Sequence, residues 1–277
     1  MTNIKKIPIS REVHADMETP LSVYRKLADA PFSYLFESVE GGDKWARYSL
    51  IGLPSKKIIR ISKNLIEIVE EEEIKERIEV SNPLDYIKSL HDSFSLEEIP
   101  GLPKFTGGLV GYFSYDCVRM IENRLEDSEP IDLLGTPDAL LMISEEVAVF
   151  DNLKNRLHLI VMVESEDEET LSRAESRLDQ LEKKLKENFE FEEFSKPNDS
   201  VEESDFVSSF GEKEFKLAVN KVKEYIKKGD VMQVVCSQRM SIPFNSDPVA
   251  LYRAVRYLNP SPYMYYLNLK DFHIVGS

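Results

Sequence analysis

The sequence predicts an α+β fold, mostly antiparallel β-sheet in a sandwich-like arrangement with flanking helices. Two groups of short segments, within residues 32–80 and 106–163, alternate apolar and polar positions with period two. Turns rich in Gly, Pro, Asn and Asp separate these segments. Connections this short cannot carry the helical crossovers that parallel strands need, so the strands should pair antiparallel.

The elements of the first half follow from these patterns in order. Residues 20–29 should form a helix, because Pro20 suits a first helical turn and apolar side chains share one face. Five strands are then predicted, at residues 32–38, 47–53, 57–61, 65–69 and 74–80. A second helix is predicted at residues 83–91. Four further strands are predicted, at residues 106–115, 138–143, 146–151 and 156–163.

The second half contains the longer helices. Leucines and an alanine repeat every three or four residues within 166–188, with acidic residues in the first turn and lysines in the last, which suits the helix dipole. Gly229 should cap a helix over 210–228 in the left-handed conformation. The remaining predicted elements are a strand at 231–242, a helix at 247–258 with Asp247 as N-cap, and strands at 263–269 and 272–275.

Composition separates the chain into two predicted domains. Residues 189–205 are acidic and contain Pro197, Asn198 and Asp199, so they should form an exposed linker between residues 1–188 and 206–277. The final residues, 272–277, have the pattern of an apolar strand that runs into a turn. Because a domain seldom ends on a strand with nothing to close it, we expect the chain to be truncated at Ser277.

Composition also bounds the class of protein. Hydrophobic residues make up 42% of the 277 residues, which is enough for a globular core. The 50 acidic and 35 basic residues give a net charge of -15, which opposes binding to nucleic acids or anionic membranes. Neither a secretory signal nor a membrane span is recognisable, so we expect a cytoplasmic protein.

The residues that most often carry metal or nucleophile chemistry are scattered. Cys117 and Cys236 lie far apart in apolar surroundings, which predicts two buried free thiols. The four histidines show no metal-ligand spacing, and no glycine-rich phosphate loop or dinucleotide fingerprint is present. The sequence therefore predicts no metal ligands in this chain and gives no support for a Cys-His nucleophile, ATP or NAD.

Five segments resemble one family. They are LFES (35–38), RYSLIG (47–52), GGLVGYFSYD (107–116), GDVMQVVCSQR (229–239) and NPSPYMYYL (259–267). Together they resemble the chorismate-utilising enzymes, in particular the component I group of anthranilate synthases, over nearly the whole chain. The resemblance implies an incomplete fold of the chorismate-binding type. Residues 1–188 would then be the N-terminal region with a regulatory tryptophan segment, and residues 206–277 the start of the chorismate-binding domain.

The resemblance also implies a reaction, a cofactor and partners. Enzymes of this group convert chorismate and ammonia to anthranilate and pyruvate in tryptophan biosynthesis. The Mg²⁺ ligands would lie in the C-terminal half, beyond Ser277, and Mg²⁺ would anchor the substrate there. Ammonia would come from glutamine through a separate glutamine amidotransferase subunit, in a heterotetramer, because neither cysteine has the setting of a glutaminase nucleophile.

The same resemblance implies a site for L-tryptophan, the feedback inhibitor. The matching positions are Glu37, Ser38, Asn259, Pro262, Tyr263 and Met264. Glu37 and Ser38 can meet the ammonium and carboxylate of an amino acid. Tyr263 and Met264 can supply apolar walls for an indole. Each segment alone is better explained as a plain strand end or a tight turn, and it is their joint match that favours a ligand site.

Gln233 is the candidate active-site contact in this chain. In family members that add water to chorismate the matching residue is a lysine that can act as a base, whereas ammonia is already a nucleophile and needs no such base. A strand glutamine that bonds neighbouring backbone explains Gln233 equally well. The sequence leaves two other functions open: aminodeoxychorismate synthase component I, or a non-catalytic tryptophan-binding remnant. We expect these 277 residues alone to be inactive.

Overall fold

The computed structural model describes residues 4–38, 47–96, 99–125, 132–188 and 201–277. The chain forms two compact units, which we describe separately. The first comprises Met1–Phe191 and Leu251–Ser277, and the second comprises Glu192–Ala250. The division into residues 1–188, a linker and residues 206–277 stays a sequence prediction, and residues 189–200 of that linker lie outside the described ranges.

Strands dominate the described residues. In chain order they are β1 (Ile4–His14), β2 (Ser33–Glu37), β3 (Tyr48–Gly52), β4 (Lys57–Ser62), β5 (Leu65–Glu70), β6 (Glu73–Glu79), β7 (Phe94–Leu96), β8 (Gly108–Phe113), β9 (Ala139–Ser144), β10 (Glu146–Asp151), β11 (Arg156–Val163), β12 (Val207–Ser208), β13 (Met240–Ser241), β14 (Met264–Asn268) and β15 (His273–Gly276). The helices are α1 (Pro20–Leu27), α2 (Pro83–Ser93), α3 (Glu168–Lys186), α4 (Glu212–Lys228) and α5 (Pro248–Leu258).

The first unit contains two sheets. The larger has eight strands in the order β15-β14-β2-β3-β10-β11-β1-β7, and the smaller has five in the order β6-β5-β4-β9-β8. Among the residues that the structure describes, all pairings in these two sheets are antiparallel except that of β1 with β7. The predicted α+β class with mostly antiparallel sheets is therefore confirmed.

The core of this unit lies between the two sheets, as in a sandwich. Tyr34 and Leu267 from the larger sheet pack with Ile58 and Met142 from the smaller. The neighbouring residues along β4 and β9 point to the opposite face, where Ile59, Ile61 and Leu141 pack with residues of α2. This alternation follows from the period of two along a strand.

Helices cover the other face of the larger sheet. The helix α3 packs on β1 and β11, and α1 packs on β2 and β3. The buried residues of α3 are Ala174, Leu178, Leu181 and Leu185, which confirms the predicted apolar stripe. Thr19 caps α1 by accepting a hydrogen bond from the backbone N–H of Ser22.

The second unit is smaller and less buried. Its helix α4 ends at Gly229, whose φ of 80° confirms the predicted left-handed cap. The short strands β12 and β13 pair, and the Ser209 N–H donates to the Arg239 carbonyl at 2.8 Å. Within the described residues, α4 buries none of its side chains. Its apolar face is therefore largely exposed.

Most predicted elements are confirmed, with ends that differ by about two residues. Two predictions are wrong. The strand predicted at 231–242 is reduced to β13, because in the described part of the chain only Val207–Ser208 pairs with it and a strand needs a partner for its backbone groups. Cys117 is buried as predicted, but Cys236, in this unpaired segment, is only partly buried. The strand β1 was not predicted at all.

No helix among the described residues is long and apolar enough to cross a membrane.

An ion pair joins Arg47, the first residue of the segment RYSLIG, to Asp151 at the end of β10. The Arg47 guanidinium donates to Asp151, with Nη2 at 2.8 Å from Oδ2, and the N–H groups of Leu153 and Lys154 donate to the same carboxylate. Burial alone would raise the pKa of Asp151, but these donors outweigh it and hold the pKa below its ordinary value. Asp151 is 2% exposed, so a loss of its charge leaves these donors poorly satisfied.

We expect Asp151→Asn to lower the free energy of unfolding by about 2 kcal/mol at pH 7. Since the folded pKa of Asp151 is depressed, its carboxylate stabilises the fold above the unfolded pKa of about 3.9, and that contribution is lost as pH falls through the folded pKa. The difference between variant and wild type should therefore shrink below about pH 4. Urea unfolding of the complete gene product at several pH values measures this, with Asp271→Asn in an exposed turn as the control. An equal difference at pH 7 and pH 3 would show that the charge of Asp151 is not responsible.

Candidate functional site

The pairing of β2 with β14 brings the two predicted ligand segments together. Met264 is the Cα partner of Glu37, and Tyr265 is the partner of Phe36. Ser38 follows Glu37 and Tyr263 precedes Met264, so these residues lie at the same end of the strand pair. The fold therefore places segments more than two hundred residues apart in sequence side by side.

The other predicted positions surround this end of the sheet in different environments. Met264 is 1% exposed, whereas Tyr263 is 73% exposed. Pro262 is also exposed, and Ser38 is half-buried. Of the two residues expected to form apolar walls, only Tyr263 presents its side chain to solvent.

Asn259 lies just beyond the C-terminal end of α5. Its backbone N–H donates to the carbonyl of Val255 at 2.8 Å, as in a last helical turn. Its Nδ2 donates to Ser277 Oγ at 3.2 Å, and that hydroxyl donates back to the Asn259 carbonyl at 2.6 Å. Asn259 is thereby held next to the residue that follows β15.

Glu37 is buried and already has charged and polar partners. Glu37 is 5% exposed. Tyr252 Oη donates to Glu37 Oε2 at 2.5 Å, and Arg256 Nη2 donates to Oε1 at 3.4 Å. Burial raises the pKa of Glu37, although Tyr252 and Arg256 act in the opposite direction. Burial and the adjacent Glu37 likewise raise the pKa of the Tyr252 hydroxyl.

Tyr252 and Arg256 were not identified from the sequence. They are four residues apart on α5, so they share one face of that helix. This spacing was visible in the sequence, but the acid that they face was not, because Glu37 is 215 residues from Tyr252. Edge-to-face packing of Tyr252 on Tyr266, with ring centroids 5.9 Å apart, holds α5 on β14.

Gln233 lies in the second unit. Its side chain is exposed, and the segment around it, residues 231–239, forms no strand. The candidate role of Gln233 thus rests on the sequence alone.

The thiols and potential metal ligands show no catalytic arrangement in the described residues. The Cys117 thiol donates to the Asp138 carbonyl at 3.2 Å, and burial raises its pKa. In the ranges that the structure describes, no three His, Cys, Asp or Glu side chains converge on a point that could hold a metal ion.

The fold and these motifs define the class of protein. The model of the chorismate binding enzyme family matches residues 40–277, and the chain belongs to that family. It is similar to anthranilate synthase component 1 from Pseudomonas putida, with 48% identity over 275 residues, covering 98% of this chain and 55% of the relative. The corresponding protein from Neisseria meningitidis serogroup B is 46% identical, with the same coverage of each chain.

A solved structure has the same fold. The crystal structure of anthranilate synthase component I from Streptococcus pneumoniae TIGR4 matches 96% of this chain and 56% of its own chain, with a TM-score of 0.62 and 25% identity. This chain therefore spans about half the length of the relatives that it matches.

Proposed function

We propose that this chain is part of the large component of an anthranilate synthase that L-tryptophan inhibits. The complete protein would convert chorismate and ammonia to anthranilate and pyruvate in the cytoplasm. The names of the relatives, at 46–48% identity, support the reaction. The observation that best supports regulation is the pairing of Glu37 with Met264, since it joins both candidate ligand segments in one place.

Tryptophan would bind at the shared end of β2 and β14. Glu37 receives its ammonium, Ser38 contacts its polar end, and the indole lies against Pro262 and Tyr263. Burial of an indole of ~200 Å² at ~25 cal/mol/Å² contributes about 5 kcal/mol before the cost of ordering the ligand. That is enough for a micromolar effector once its charged ends are paired.

Inhibition requires that tryptophan prefer one conformation of the protein over another. Residues of the site lie on β2, β14 and the loop after α5, so a ligand that contacts all of them would fix their relative positions. The inhibited conformation would be the one that binds tryptophan more tightly, and its catalytic rate would be lower.

Ammonia would be supplied by a glutamine amidotransferase subunit. A glutaminase nucleophile must be an accessible thiolate, whereas the Cys117 thiol is buried and donates a hydrogen bond to the Asp138 carbonyl. Gln233 is our candidate for a substrate contact, since an uncharged amide suffices where ammonia is the nucleophile.

We place the magnesium ligands outside this chain. In support, no three His, Cys, Asp or Glu side chains converge on one point among the described residues. The ligands would lie in the part of the complete protein that corresponds to the other half of the relatives, and we assign the residues of this chain no role in holding the metal.

The experiment is an assay of the complete gene product with chorismate, ammonium and Mg²⁺, with and without L-tryptophan. Anthranilate fluorescence should rise, and tryptophan should suppress it with half-effect at about micromolar concentration. Formation of aminodeoxychorismate without anthranilate would assign the protein to the other amine-adding branch. Tryptophan binding without any turnover would identify a non-catalytic binding protein.

A further inference from the structure

Arg256 is poorly satisfied where it meets Glu37. Its Nε lies 3.2 Å from Glu37 Oε2, yet this atom is buried and has no hydrogen-bond partner among the described residues. Its Nη2 donates to Glu37 Oε1 only at 3.4 Å. The side chain as a whole is 41% exposed, so Arg256 is only partly enclosed by the fold.

This geometry differs from that of a structural ion pair. A guanidinium bonds a carboxylate best through two parallel N–H groups at 2.7–2.9 Å, as its planar fork allows. Here the strongest bond to Glu37 comes from the hydroxyl of Tyr252, at 2.5 Å. Glu37 is thus held mainly by Tyr252, while Arg256 meets it in a loose pair that does not use the two-pronged geometry of a guanidinium.

We propose that Arg256 binds the α-carboxylate of the amino acid whose ammonium Glu37 receives. This inference rests on the proposed tryptophan site and adds its carboxylate-binding residue. A zwitterion brings one charge for each partner, so the internal pair of Glu37 and Arg256 is replaced by two ligand pairs and no buried charge is left alone. Tyr252 keeps Glu37 oriented throughout. The site thereby selects amino acids over their amides or amines.

The test compares L-tryptophan with L-tryptophanamide, which keeps the indole and the ammonium but has no carboxylate. Binding of each to the complete gene product is measured by calorimetry, in the wild type and in Arg256→Gln. We expect the variant to bind tryptophan about 10- to 100-fold more weakly, the range of one charged hydrogen-bonding group. Its affinity for tryptophanamide should change less than about threefold.

Two variants serve as controls. Arg253→Gln makes the same change at an exposed position of α5 and should leave both affinities unchanged. Arg256→Lys keeps the positive charge and should retain more tryptophan affinity than Arg256→Gln. It therefore still tests the role of the charge if Arg256→Gln folds poorly.

Equal weakening of both ligands by Arg256→Gln would overturn the proposal, because Arg256 would then act only through Glu37 or the fold. Unchanged tryptophan binding would overturn it too. The wild type is measured first. If it does not bind tryptophan, the proposed tryptophan site itself is rejected.

Discussion

Ser38→Phe is expected to abolish tryptophan binding, with an affinity at least about 100-fold below that of the wild type, or about 2.7 kcal/mol. Ser38 is half-buried and directly follows Glu37 at the end of β2. A phenyl ring there occupies the volume that the indole needs beside Tyr263. Because the position lies beyond the end of the paired strands, the ring should leave the sheet intact. Calorimetry of the complete gene product with L-tryptophan measures the loss.

The matched control is Ser62→Phe. Ser62 is exposed at the end of β4, in the other sheet, so the same change of side chain should leave tryptophan affinity within about twofold. Circular dichroism of both variants checks the fold. Tryptophan affinity that is unchanged in Ser38→Phe would place the pocket elsewhere.

The second large effect is the inactivity of the chain by itself. We expect residues 1–277, expressed alone, to form no anthranilate from chorismate, ammonium and Mg²⁺, since we place the metal ligands outside this chain and no group of three potential ligands converges among the described residues. Large apolar side chains of the second unit are also exposed, among them Met232 at 99% and Val235 at 79%. The assay is steady-state anthranilate fluorescence.

The complete gene product, assayed in parallel, is the positive control for this experiment. A fragment that turned over chorismate at more than a trace of the complete protein's rate would refute the placement of the Mg²⁺ ligands in the other half. Circular dichroism of the fragment distinguishes a folded, inactive chain from an unfolded one.

Local patterns predicted most of the fold. Alternation with period two, bounded by turn residues, marked β2 to β6 and β8 to β11. The leucine stripe marked α3, because that helix buries one face. The candidate site came from a different source, the resemblance of LFES and NPSPYM to one family. It stays a prediction, although the fold does pair the two segments.

The elements that the sequence did not predict depend on partners that are distant in the chain. The strand β1 carries Lys5, Lys6 and Arg11, which hide its pattern, and Lys6 is buried only because Glu145 and Glu164 receive its ammonium, at 2.5 and 2.7 Å. These acids lie more than a hundred residues away. A periodic pattern cannot reveal such a pair.

The wrong strand at 231–242 and the overlooked residues of the site have the same cause. The segment has the alternation of a strand, but alternation does not create a hydrogen-bonding neighbour. Likewise the partners of Glu37, Tyr252 and Arg256, are placed by the docking of α5, which only the tertiary structure specifies. The resemblance therefore pointed to two segments that the fold brings together, but not to the side chains that surround Glu37.

The most direct test is a crystal structure of the complete gene product with L-tryptophan. We expect the indole to lie within about 4 Å of Pro262 and Tyr263 and the ammonium to contact Glu37, at the end of the paired strands β2 and β14. Tryptophan bound at a site that includes neither the Glu37–Ser38 segment nor the 259–264 loop would contradict this expectation.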